Sequence, residues 1–233
     1  MTESTSHPSV AQRLERVCEL PLDWHGAGTV PNRVLRAIAR YAPVRVEHSV
    51  ETGTGRSTLL FSTLSRHHLV FAKDDRDDGQ SLDRVRRSEL LTPGIVEFIV
   101  GPTQTTLPSY DLPGSLDIVF LDGPHGFPFP QLEYYYFYPR VRAGGLLVVD
   151  DIQIPSVRQL YCFLRRDRMW HLSGVVARTA FFTRTTAATL DPFGDGWWLQ
   201  GYNRSRSLAA TAWMKTHAPE RVKSFWRRVR GPD

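Results

Sequence analysis

Val50-Glu51-Thr52-Gly53-Thr54-Gly55-Arg56-Ser57 decides how this chain reads. It closes an apolar-leaning run at 44–50 that has strand character, and it opens an apolar-periodic run at 57–65 that reads as a helix. Between them, Gly53 and Gly55 let the backbone turn sharply and come close to a ligand. The same grammar recurs downstream. Leu121-Asp122-Gly123-Pro124-His125 and Leu147-Val148-Val149-Asp150-Asp151 each place carboxylates directly after a buried-looking strand. In an open parallel sheet the carboxyl ends of the strands line the ligand crevice. A glycine loop, an Asp with a nearby His, and an Asp pair are therefore expected to converge on one cleft.

The rest of the chain supplies the frame. Helical spacing is present at 10–20, through Val10, Leu14, Val17 and Cys18. It returns after Pro31, through Val34, Leu35, Ile38 and Ala39, and stops at Pro43. Further strands are expected at 69–72, 96–100, 116–121 and 146–149, and further helices at 80–90, 131–141 and 156–165. The continuous apolar run at 116–121 suggests burial on both faces. An antiparallel pair is expected at 170–176 and 180–183. This alternation predicts a Rossmann-like, doubly wound α/β fold with a mostly parallel seven-stranded sheet whose last strand is antiparallel. The expected division is an N-terminal extension at 1–30, the α/β domain at 31–186, and a C-terminal loop with a basic helical tail at 187–233.

Composition narrows the class. A chain of 233 residues with 41% hydrophobic and 23% charged residues is ordinary for a globular protein. The net charge of +5 is modest and gathers near 221–230, which argues against a nucleic-acid face across the domain. Cys18 and Cys162 are far apart and lack CxxC spacing, so neither a disulfide framework nor a zinc site is expected, and a reducing cytoplasm fits. No apolar run reaches the ~18 residues that a membrane span requires.

The motifs carry the chemistry. A dinucleotide fingerprint wants a third glycine where this chain has Thr58, and a carboxylate at Glu51 would repel phosphate but attract a cationic group. Asp74 and Asp75 follow the second strand, where an acid can accept from both ribose hydroxyls; with Asp77 and Asp78 they read equally as a solvated acidic loop. Asp122, Asp150 and Asp151 at neighbouring strand ends would repel one another unless a hard cation joined them, and an all-oxygen set favours Mg²⁺. His125 has a side chain whose ordinary pKa suits proton abstraction at neutral pH. The plainer alternatives are a turn cap for Asp122, a loop acid for Asp151 and a turn histidine for His125.

Glu51-x-Gly53-x-Gly55, the second-strand acid and the Gly101 turn together resemble a class I S-adenosylmethionine-dependent methyltransferase over residues 31–184. Asp122-x-x-His125 with Asp150-Asp151 is similar to the metal-dependent, macrocin-type sugar O-methyltransferases. The cephalosporin-hydroxylase-like group carries a similar acidic set. The resemblance implies cofactor contacts at Glu51, Gly53, Gly55, Ser57, Asp74, Gly101, Thr103 and Asp122. It also implies Mg²⁺ ligands at Asp122, Asp150 and Asp151, and a general base at His125. The chain departs from the family at Pro102, where an acidic or small polar residue often reads the adenine edge. The implied function is O-methylation of a hydroxyl on a small molecule, a sugar or natural-product scaffold. The alternative is a fold repurposed for a hydroxylase-like reaction or for binding alone. A small-molecule substrate is expected, nucleic acid is not, and a homo-oligomer remains open. Tyr134-Tyr135-Tyr136-Phe137-Tyr138 reads mainly as core or interface, and the Trp197-Trp198 loop as a lid or a dimer contact.

Overall fold

The computed structural model describes residues 9–22, 24, 28–73, 81–191, 194, 200, 203 and 217–230. A seven-stranded sheet, in the order β3-β2-β1-β4-β5-β7-β6, forms its centre. The strands are β1 (Val46–Thr52), β2 (Ser65–Ala72), β3 (Val96–Val100), β4 (Leu116–Leu121), β5 (Val141–Val149), β6 (Trp170–Val176) and β7 (Thr179–Arg184). β1 to β5 pair in parallel, while β7 lies antiparallel between β5 and β6. This is the Rossmann-like, doubly wound α/β fold that the sequence predicts. The strand order reverses between β1 and β4, which makes their carboxyl ends the switch point where a ligand crevice opens.

Helices α1 (Val10–Glu19), α2 (Asn32–Tyr41) and α3 (Arg56–Leu64) cover one face of the sheet. α5 (Thr103–Ser109), α6 (Phe129–Phe137) and α7 (Pro155–Leu164) cover the other. α4 (Ser81–Arg86) and α8 (Glu220–Arg230) complete the described helices. β4 shows why the sheet needs both layers. Leu116, Val119 and Leu121 enter the α6–α7 core, whereas Ile118 and Phe120 enter the α1–α3 core. Each such fully buried side chain contributes about 1.5–3 kcal/mol. α1 starts with a reciprocal capping box. The Ser9 hydroxyl accepts from the Gln12 amide at 3.3 Å, and the Gln12 side chain accepts from the Ser9 amide at 2.8 Å.

Several boundaries differ from expectation. β2 begins at Ser65, where α3 passes straight into the sheet, and β5 begins at Val141 after a short 3-10 turn at Tyr138–Arg140. α5 is absent from the sequence reading because Thr-Gln-Thr-Thr-Leu-Pro-Ser is polar and contains Pro108; only Thr103 and Leu107 are buried. The aromatic run divides by helical phase. Tyr134, Phe137 and Tyr138 are buried, with the Tyr134 hydroxyl accepting from Trp170 Nε1 at 2.8 Å, while Tyr135 is exposed. Asp74, Asp75, Trp197 and Trp198 lie outside the described residues. Among the described residues no helix is long and apolar enough to cross a membrane.

Candidate active site

A crevice of about 520 Å³ opens over the β1 and β4 ends. Gly53, Gly55, Ser57, Gly101 and Thr103 line one part of it, and Asp122, His125, Asp150 and Asp151 line another. The two sets come from four different strand ends, so only the parallel sheet brings them together.

Gly53 needs to be glycine on two counts. Its φ is +90°, and an added Cβ would press into the carbonyl oxygen of Asp122. The glycine loop is thus seated directly on the β4 end. Gly101 likewise has a φ of +142°, with its amide donating to Ala72 O at 2.9 Å.

Glu51, expected to face the cofactor, does not line this crevice. Strand alternation puts Ser49 and Glu51 on the α3 face of β1, and Glu51 is only 1% exposed. Its carboxylate accepts from the Thr58 hydroxyl and sits 3.2 Å from His68 Nε2. The other His68 ring nitrogen is 2.7 Å from the Ser49 hydroxyl, and Phe61 stacks on the ring. Thr58 in turn accepts from the Gly55 amide at 3.1 Å. Glu51 therefore holds the glycine loop from beneath. Its other carboxylate oxygen, Oε2, is buried without a hydrogen-bond partner.

Thr52 points to the opposite face and reveals a group that sequence reasoning passed over. Its hydroxyl donates to Glu133 Oε2 at 2.8 Å and accepts from the Asp122 amide at 3.3 Å. Glu133 is 1% exposed, and its carboxyl packs so closely on Gly123 that no Cβ fits there. Burial pushes its pKa up to about 7, with the Thr52 and Thr103 hydroxyls opposing and the Asp122 charge adding to the rise. The signal was present in the sequence. Pro130, Glu133, Tyr134 and Phe137 form the buried stripe of α6, so an acid occupies a core position.

The carboxylates beyond β4 and β5 gather around one imidazole. His125 Nε2 lies 3.8 Å from Asp122 Oδ1 and 3.4 Å from Asp151 Oδ2. Both contacts are looser than a good hydrogen bond. The Ser156 hydroxyl donates to the His125 carbonyl and fixes the loop. The neighbouring Asp122 carboxylate raises the His125 pKa, with burial acting against it. Burial pushes Asp122 up to about 7, and the charges of Asp150 and Asp151 push the same way against His125. Asp150 is also raised by burial, although the Thr179 hydroxyl donates to it. Asp151 occupies left-handed backbone, at φ 51°, an unusual conformation for a non-glycine residue. Gln153 Nε2 donates to Asp151 at 2.8 Å, and Arg178 lies 3.4 Å from the same oxygen. The donor set is entirely oxygen, and two of its members resist ionisation, a cost that a divalent cation would relieve. Among the described residues, however, no three His, Cys, Asp or Glu side chains are arranged as a ready ligand sphere.

Residues 50–152 match a family described as a methyltransferase domain. The O-methyltransferase NovP superposes with a TM-score of 0.59 at 17% identity, over 76% of this chain and 100% of that one. A putative O-methyltransferase from Klebsiella pneumoniae gives 0.58 at 15%, over 78% and 93%. The O-methyltransferase TomG from Streptomyces achromogenes, involved in tomaymycin synthesis and solved with S-adenosylmethionine, gives 0.55 at 18%, over 78% and 92%. At these identities the likeness is one of fold. No curated protein matches the sequence.

Proposed function

We propose that this chain carries a methyltransferase domain of the class I S-adenosylmethionine-dependent superfamily, and that its crevice O-methylates a small molecule with the help of Mg²⁺. The observation that carries the reading is the convergence of the glycine loop with Asp122, His125, Asp150 and Asp151 in one crevice. S-adenosylmethionine, when bound, supplies an electrophilic methyl group on a sulfonium sulfur. The residues of the chain do the rest. The Gly53–Gly55 turn, propped by Glu51 through Thr58, holds the shape of the cofactor floor. Gly101 and Thr103 shape the far end of that floor.

His125 takes the acceptor's hydroxyl proton at Nε2. The imidazolium so formed faces Asp122 and Asp151, which favour the charged ring. Alignment of the deprotonated oxygen with the methyl carbon is the remaining contribution, and a rigid crevice supplies it. Asp122, Asp150 and Asp151 would hold Mg²⁺, whose chemistry there would be to acidify and orient the acceptor hydroxyl. The acceptor class that fits is a sugar or another natural-product scaffold, a reading supported by the role of TomG in tomaymycin synthesis.

Calorimetric titration of S-adenosylmethionine and S-adenosylhomocysteine, with Mg²⁺ and with chelator, tests this reading. Micromolar binding is expected, followed by methylation of hydroxylated acceptors that chelator suppresses. No binding in either buffer would sink the methyltransferase reading. Turnover unchanged by chelator would remove the metal and leave transfer driven by His125.

A further inference from the structure

α8 differs from the other helices in what it leaves in water. Leu14, Val17 and Cys18 of α1 are buried, as are Val34, Leu35 and Ile38 of α2. On α8, by contrast, Val222 is 41% exposed and Phe225 is 65% exposed. Glu220, Arg221 and Ser224 are exposed as well, and Lys223 is half-buried. An 11-residue helix is too short to be stable alone in water and ordinarily depends on a buried apolar stripe.

The sequence supplies such a stripe. Val222, Phe225, Trp226 and Val229 recur at the i, i+3, i+4, i+7 spacing of one helical face. The charged positions between them are Arg221, Lys223, Arg227, Arg228 and Arg230, against a single acid, Glu220, which Lys223 meets at 3.5 Å. These charges say which partner fits. A second copy of the same helix would set one basic cluster against another, so self-association through this face is opposed. Nucleic acid would meet the charge but gain nothing from the apolar stripe. An anionic lipid surface meets both. Apolar side chains enter the boundary between headgroups and acyl chains, while Lys and Arg stay among the anionic headgroups.

We propose that α8 is an interfacial helix that binds this protein to an anionic membrane surface. It lies in the plane of that surface. A helix of 11 residues is about 17 Å long, too short for a hydrocarbon core of about 30 Å. A single short stripe gives reversible, salt-sensitive attachment. None of the described α8 residues lines the crevice, so the inference stands apart from the methyltransferase reading.

The experiment sediments the full chain with vesicles of equal parts phosphatidylglycerol and phosphatidylcholine, and with vesicles of phosphatidylcholine alone. Wild type is compared with Phe225→Glu, which spoils the stripe, and with the double variant Arg221→Glu/Lys223→Glu, which spoils the charge. Wild type is expected to bind the anionic vesicles at least about tenfold more tightly than the neutral ones, and to gain helix in far-ultraviolet circular dichroism as it does so. Each variant is expected to lose about tenfold or more on the anionic vesicles. Wild type that ignores anionic vesicles, or binds both kinds equally, overturns the proposal. Phe225→Glu binding as tightly as wild type overturns it too, because charge alone would then hold the chain. A DNA duplex bound more tightly than the vesicles, and equally by wild type and Phe225→Glu, overturns it in favour of nucleic acid. If Phe225→Glu fails to fold, the double variant decides.

Discussion

Glu133→Gln should make the ligand-free protein more stable at pH 8 and leave it nearly unchanged at pH 5. Glu133 is buried under Gly123, and its carboxyl has an ordinary pKa of 4.5 that burial raises to about 7. Between those values the unfolded chain has released the proton while the folded chain still holds it. Stability therefore falls as pH rises through this window, and the full penalty is present above it. A rise of about 2.5 units corresponds to about 3 kcal/mol. Gln keeps the shape and an acceptor for the Thr52 hydroxyl, and its amide nitrogen replaces an ionisable oxygen. In a chain of this size each kcal/mol moves the melting midpoint by about 2–4 °C, so the gain at pH 8 is about 6–12 °C. The assay is thermal unfolding of wild type and variant in chelator from pH 4.5 to 8.5. A gap between the two that does not grow with pH would refute the reasoning. A wild type more stable than the variant at pH 8 would refute it as well.

Two further outcomes follow from the geometry. Gly53→Ala forces an unfavourable φ and drives a Cβ into the Asp122 carbonyl, so a loss of about 2–4 kcal/mol in stability and of cofactor binding is expected; chemical denaturation reads it, and an unchanged midpoint contradicts it. His125→Ala should lower turnover about 10²- to 10⁴-fold while the affinity for S-adenosylhomocysteine stays within about threefold, and turnover within tenfold of wild type would remove the base assignment.

Much of this was legible before folding was considered. A strand followed by Gly-x-Gly, by Asp-Gly-Pro-His or by Asp-Asp is local information, because period-two burial and turn chemistry act over a few residues. The one helix missed, Thr103–Ser109, is polar and contains Pro108, so its local signal was that of a loop. Other features depended on partners far along the chain. Glu51 and Thr52 are adjacent, yet one faces His68 and α3 while the other faces Glu133, 81 residues away.

The sequence by itself determined the α/β class, the strands and the chemistry placed at their ends, since each follows from short-range pattern and residue type. Tertiary structure alone decided which side chains reach the crevice. Alternation turned Glu51 beneath the glycine loop, and helical phase buried Glu133 against Gly123. The packing of α2 against α3 closed over Arg56 and left it a neutral acceptor, Asn32, with no paired carboxylate among the described residues. The physical reason is that a charged residue is written the same way wherever it lands, and only the packed neighbours set its solvation and its partners.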